Sequence, residues 1–363
     1  MNQIIQNNID DYTGAGNKMS FMIFGGDDLN FVWETIQRMQ LVFHPRYAPA
    51  GQFDYGQFSF LKNERELSVF LDRNLLSSLM KLCHQGFLQD ELEMRTIALL
   101  MTWAIMNGIP VSAGMAIKEN ANKTDDSISA KTELQTFVDI FDFYPSMIWL
   151  HLAKGVIGKI TPCPVSQKPF ETEIAYHEKD EHLLMHIATM LHVVFLCRQK
   201  NLSPESKVME FLSWNCKNLL IGQYTNTYIA LLFTAQEGIS APKNVNSNDI
   251  EKIMTGCYNQ AWDLNYLSNW SSLYWDEDKK KESFLFATND RMLKSIFVNS
   301  HGNGNFLDLI EVVFPKKSAK RIIDFYCDQM GEKRIKPNFG ENPRAYFYTL
   351  IEQEKQRVIS LFS

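Results

Sequence analysis

Two stretches of the chain share one grammar. Val69-Phe-Leu-Asp72-Arg-Asn74-Leu-Leu-Ser-Ser-Leu and Phe284-Leu-Phe-Ala-Thr288-Asn-Asp290-Arg-Met-Leu-Lys-Ser-Ile-Phe each read as a buried β-prone run, an aspartate at its end, and an amphipathic helix. After Asp72, apolar residues fall at Leu75, Leu76, Leu79, Met80 and Cys83, the stripe of a helix with one face buried. A chain that twice feeds a strand into a helix is constrained toward an α/β fold. It brings two carboxylates, distant in sequence, to the carboxyl edge of one parallel sheet, where open α/β sheets bind ligands. Carboxylates gathered there attract a hard divalent cation such as Mg²⁺ or Mn²⁺.

With 363 residues, 45% of them hydrophobic, the chain is long enough for one elaborated domain or two. Its net charge of −6 excludes an overall basic nucleic-acid-binding surface, so any such surface must be local. Lys279-Lys280-Lys281 and the run Lys316, Lys317, Lys320, Arg321, Lys333, Arg334 and Lys336 are the places for it, with solvated helix faces as the plainer reading. None of the six cysteines forms a Cys-x-x-Cys pair, which argues against a cysteine zinc site. With a polar N-terminus lacking a basic leader, they point to buried thiols in a reducing cytoplasm. The most apolar run, Ile97 to Met106, is too short to span a bilayer, so no membrane partner is expected.

Along the chain, 1–60 reads as an N-terminal extension. It includes a strand over Met19 to Phe24, a Gly25-Gly26-Asp27-Asp28 polar turn, a helix over 29–43 and a loop from Pro45 to Gly56. Residues 61–133 read as the first part of an α/β core, with a strand over 68–71 and a helix over Glu91 to Asn107 stopped by Gly108. A turn at Ile109-Pro110-Val111, a short helix over Ala113 to Asn122 carrying Glu119, and a polar loop to Ser129 follow. Residues 134–248 read as a large, mainly α-helical insertion ending in a linker over Gly238 to Asn248. Residues 249–314 form the second part of the core, with a helix over Ile250 to Tyr274 capped by Asp249, a charged turn over 276–282 and a strand over 284–288. Residues 315–363 form a helical tail.

Four acids stand out within this frame: Asp72 and Asp290 after their strands, Glu119 on its short helix, and Asp263 in Gln260-Ala-Trp-Asp263-Leu. An unpaired carboxylate beside apolar helix neighbours is costly to bury, and is better tolerated facing a metal or a wet cleft. The order of these pieces resembles PIN-like nucleases. Val69-Phe-Leu-Asp72-Arg-Asn74 resembles the family's opening, with Arg73 where a small hydroxyl residue is usual. Glu119 matches the second acid on a helix, and Ala261-Trp-Asp263 and Thr288-Asn-Asp290-Arg-Met-Leu match the closing pair. The resemblance covers about 65–130 and 250–300. It implies a PIN-like parallel sheet core with helices on both faces, and a nuclease that hydrolyses phosphodiester bonds, with RNA as substrate. It also implies Asp72, Glu119, Asp263 and Asp290 around Mg²⁺ or Mn²⁺, supported by Asn74 and Thr288. A free nuclease endangers its host, so a regulatory protein partner or homo-oligomer, and a role as a regulated toxin or phage-defence effector, are the matching expectations.

The bland readings are equally definite. Asp72 and Asp290 are favoured helix caps, leaving a catalytically inactive binding or scaffold protein. Asp125, Asp126, Glu133 and Asp139 lie close enough to Glu119 to replace it. His182 and His186 share a helix face but lack the His-Glu-x-x-His form, so they read as core or surface histidines. The Gly-Gly-Asp-Asp stretch resembles a polymerase palm turn, but no acid on a neighbouring strand partners it.

Overall fold

The computed structural model describes residues 24–302, 304–330 and 337–362. In chain order its first elements are α1 (Gly26–Met39), β1 (Val42–Phe43), α2 (Tyr55–Glu64), β2 (Glu66–Leu71), α3 (Arg73–Gln85), α4 (Glu91–Asn107), β3 (Val111–Ser112), α5 (Gly114–Thr124), α6 (Ser127–Phe143) and α7 (Ser146–Ala153). Then come α8 (Glu181–Arg198), α9 (Pro204–Asn218), α10 (Gln223–Phe233), α11 (Ile250–Tyr274), α12 (Glu277–Lys280), β4 (Glu282–Ala287), α13 (Arg291–His301), α14 (Phe306–Val313), α15 (Lys316–Met330) and α16 (Pro343–Ile359). The chain divides into two units: Met1–His177 with Glu277–Thr288, and Glu178–Asp276 with Asn289–Ser363.

The first unit holds the sheet, in the order β1-β4-β2-β3. β2 pairs parallel with β4 over its full length, from Glu66 opposite Glu282 to Leu71 opposite Ala287, and parallel with β3 at Val69 and Phe70. β1 runs antiparallel to β4, so the sheet is mixed where the sequence predicts a parallel one. The fold is mainly helical with this small sheet, an α/β arrangement in its coarse form. β2 alternates buried and partly exposed residues, whereas β4 ends in the buried run Leu285-Phe286-Ala287, as a central strand should. α3 lays Leu75, Leu76, Leu79, Met80, Leu82 and Cys83 into the core. α4 is apolar nearly all round and buries residues along its length, packing against α1, α3 and α7, as suits a helix inside a domain.

The second unit is helical, centred on α8. From Leu183 to Val194 every residue of that helix is buried, and it packs against α16, α11 and α9. Gly256 on α11 marks a close approach within this unit. A Cβ there would lie 1.9 Å from the Lys243 carbonyl oxygen. In an open helix Gly→Ala gains about 1 kcal/mol of helix propensity. Here the sign is expected to reverse: Gly256→Ala should cost roughly 1–3 kcal/mol or more, because backbone must move to admit the methyl. Urea unfolding of the two proteins checks this, and equal or greater stability of the variant would refute the close approach.

Several sequence expectations need correction. Gly25-Gly26-Asp27-Asp28 is the start of α1 rather than a turn. Gly25 is the N-cap, its N–H donates to Asp28 Oδ2 at 2.9 Å, and Asp28 also pairs with Lys154. The helix over 29–43 ends at Met39, and β1 follows. Tyr55 opens α2 inside the expected loop, with Asp54 as its cap. Val111 is strand, not turn, and α6 begins at Ser127, before the expected loop ends. Part of the charged turn is α12. The expected strand over Met19 to Phe24 lies outside the described residues except for Phe24, which is not in a strand. Lys333, Arg334 and Lys336 lie outside them too.

Candidate functional site

The carboxyl edge of the β2–β4 pair is the best-built polar feature of the first unit. The ladder runs one step past the strands: Asp72 N donates to Ala287 O at 3.1 Å, and Thr288 N donates to Leu41 O at 3.0 Å. This sets Asp72 and Thr288 side by side, and the Thr288 hydroxyl donates to Asp72 Oδ2. The other carboxylate oxygen, Oδ1, accepts the Leu75 N–H at 2.7 Å, so Asp72 is also the N-cap of α3. Asp72 is 1% exposed and Thr288 fully buried. An anion at a helix N-terminus is stabilised by the peptide dipoles there, which helps explain how a carboxylate survives this burial.

Arg73 opens α3 with a cation at the end of the helix that disfavours one. Its Nη1 pairs with Glu133 Oε1 on α6 at 2.8 Å and reaches the Ala116 carbonyl of α5 at 3.3 Å. Glu133 Oε2 accepts from Asn120 of α5 at 3.4 Å. Glu133 of α6 is thus attached to the head of α3. Glu119 is half-buried on α5. Asp125 ends α5 in the left-handed region, Asp126 caps α6, and Asp139 accepts from Gln135. Asn74 is exposed on the first turn of α3.

The remaining two acids belong to the second unit. Asp290 caps α13, with Oδ1 accepting from Met292 N at 2.8 Å and Leu293 N at 3.0 Å. Asp263 is half-buried on α11 and accepts from Gln260 Nε2 at 2.9 Å, while Gln260 also touches Met292 Sδ at 3.2 Å.

The donor set suits Mg²⁺ or Mn²⁺ by chemistry, since it is all carboxylate oxygen. The arrangement does not suit them as it stands. Among the described residues, no three His, Cys, Asp or Glu side chains gather into a group that could hold a metal ion. Both oxygens of Asp72 already accept hydrogen bonds, and Glu133 holds a guanidinium.

His186 is buried with Nε2 2.8 Å from Ser268 Oγ, and burial pushes its pKa down to about 3. His192 stacks on Trp214 with ring centroids 4.2 Å apart and shares Glu354 with the Trp214 indole N–H and Arg357. Burial lowers the His192 pKa. Burial also opposes the Glu354 charge, but the hydrogen bond from His192 and the nearby Arg357 hold its carboxyl below the usual range. A second buried pair, His44 with Glu277, lies in the first unit. Sequence reading missed both acids, because their partners stand 233 and 162 residues away and no local motif marks them.

The chain matches no protein-family model, no curated protein and no solved structure. Among the described residues, no helix is long and apolar enough to cross a membrane.

Proposed function

We propose that the chain is a PIN-like nuclease that hydrolyses phosphodiester bonds with the help of Mg²⁺ or Mn²⁺, acting on RNA in the cytoplasm. One observation carries this reading: β2 and β4 are adjacent, parallel and in register, so that Asp72 and Thr288 leave the sheet at the same edge. β3, on the other side of β2, leads into α5 with Glu119, which is the order the resemblance requires. Asp72, Glu119, Asp263 and Asp290 are its acids, with Asn74 and Thr288 in support. Restraint by a protein partner or by self-association, as in a toxin or defence effector, fits such an activity.

A catalytically inactive binding or scaffold protein is the second reading. It is favoured by the capping roles of Asp72 and Asp290 and by the lack of a gathered acid group among the described residues. Cleavage of labelled single-stranded RNA and DNA with Mg²⁺, Mn²⁺ or EDTA separates the two. The nuclease reading expects metal-dependent cutting that Asp72→Asn and Asp290→Asn each reduce by roughly a thousandfold, the scale of several kcal/mol of metal-assisted stabilisation. Asn caps helices about as well as Asp, so both variants should fold, and loss of activity would report chemistry. Absence of cutting and of Mn²⁺ binding by the folded wild type would leave the binding module.

A further inference from the structure

Two cysteines of the first unit, far apart in sequence, meet where the end of α3 rests on the segment after α7. The Cys163 N–H donates to the Cys83 carbonyl at 2.8 Å, and the Ile160 N–H donates to the Gly86 carbonyl at 2.7 Å. The Tyr144 hydroxyl closes the junction, donating to Thr161 O at 2.7 Å and reaching Cys83 O at 3.3 Å. Bond lengths around the 2.8 Å contact hold the Cα atoms of Cys83 and Cys163 within about 6.6 Å. Disulfides usually span Cα separations of about 4.4–6.8 Å. Both thiols are free. Cys83 is fully buried, and Cys163 lines a cavity of about 790 Å³, open to solvent, with Asp139, Phe143 and Phe170. The two thiols also feel each other's charge. Burial, with Cys163 beside it, pushes the Cys83 pKa up to about 12, and burial raises that of Cys163, with Asp139 adding to the shift.

We propose that Cys83 and Cys163 form a redox modification site, which a small-molecule disulfide such as oxidised glutathione converts into an internal disulfide. The inference stands independently of the nuclease reading. Cys163, on the cavity side, loses its proton and attacks one sulfur of the oxidant, whose S–S bond breaks and releases one thiol. Cys83 then loses its proton, attacks the Cys163 sulfur and displaces the second thiol. The protein gives up two electrons and two protons, and the oxidant becomes two thiols. Protonated thiols attack slowly, so the pair answers sustained rather than brief oxidation. The same high pKa values make Cys83 and Cys163 poor leaving groups, so the bond, once formed, is also slow to be reduced. It closes a long loop and fastens the far end of α3, the helix that Asp72 caps, to the segment after α7.

The test incubates the full chain carrying Cys327→Ser, which removes an exposed thiol, with oxidised glutathione at neutral pH and without denaturant. Peptide mapping is expected to find Cys83 joined to Cys163, with two hydrogens lost from the intact mass. The urea midpoint of the first unit should rise by on the order of 1 M and return when dithiothreitol is added. Adding Cys83→Ser should stop the reaction at a glutathione adduct on Cys163, and adding Cys163→Ser should leave Cys83 unmodified. Where either of these variants does not fold, the mapping and mass of the parent protein decide alone. The proposal is overturned if the two cysteines join only in urea, if neither reacts in the folded protein, or if Cys163 keeps its adduct beside a free Cys83.

Discussion

Glu277→Ala should lower the stability of the first unit by roughly 3–5 kcal/mol, the cost of removing one partner from a buried ionisable pair. Glu277 and His44 are both fully buried. His44 Nδ1 accepts the backbone N–H groups of Arg46 and Tyr47 at 3.2 and 3.3 Å, which leaves the ring proton on Nε2. That N–H faces both Glu277 oxygens, at 3.0 and 3.1 Å, and Oε1 also accepts the Phe284 N–H at 2.8 Å. The carboxylate thus ties the loop after β1 to the start of β4 with protein donors alone. Truncation removes the acceptor that both donors share and opens a void. Glu277→Gln keeps an acceptor for one of them and should cost clearly less. Chemical denaturation of the three proteins, with hydrogen exchange at β2 and β4 to locate the loss, checks the ranking. An Ala variant within 1 kcal/mol of wild type would mean that Glu277 does not hold these donors (roughly the net worth of one ordinary hydrogen bond).

What the sequence disclosed, and what it hid, follows from the range of the forces involved. Local chemistry was legible. Gly108, in the left-handed region at φ 61°, ends α4 at Asn107, and Asp249 starts α11 at Ile250. Ser203 with Pro204 opens α9, and Asp72 and Asp290 cap the helices after their strands. That β2 and β4 belong to one sheet was legible too, because each is a β-prone run followed closely by an Asp that caps a helix. β1 and β3, two residues each, exist only through pairing with β4 and β2, and no period can be read from two residues. The start of α1 was hidden because Gly-Gly-Asp-Asp is also turn chemistry, and the Asp28 back-bond to Gly25 decides between the two. Within the candidate site, Asp72 and Thr288 are brought together as their strand ends imply. The placement of Glu133 on Arg73 could not be read from sequence, since it depends on how α6 packs 60 residues further along the chain.

Acid should unfold the second unit early, through its buried histidines. Burial pushes His186 from its ordinary value of 6.5 down to about 3, and neighbouring His182 adds to the shift. His192 is lowered in the same direction by burial, against the pull of Glu354, whose charge Arg357 and the Trp214 indole already satisfy. Both groups are therefore neutral in the folded unit and take up protons more readily when it unfolds. Their contribution is fully present above pH 6.5, and for His186 it is lost as pH falls from there toward about 3. Each such histidine tilts stability by up to about 1.4 kcal/mol per pH unit, so for His186 two pH units below the ordinary histidine value remove roughly 2–3 kcal/mol, with His192 adding to the loss in the same direction. Glu354 adds a further loss only below its unfolded value of 4.5, since its carboxyl is held down in the folded unit. Urea midpoints measured from pH 7.5 to 4.5 should fall steeply over this range. In His186→Gln, which keeps a hydrogen-bonding end for Ser268, the slope should shrink by about one proton's worth. An unchanged slope in that variant would show that His186 already takes up a proton in the folded state, despite its burial against α11.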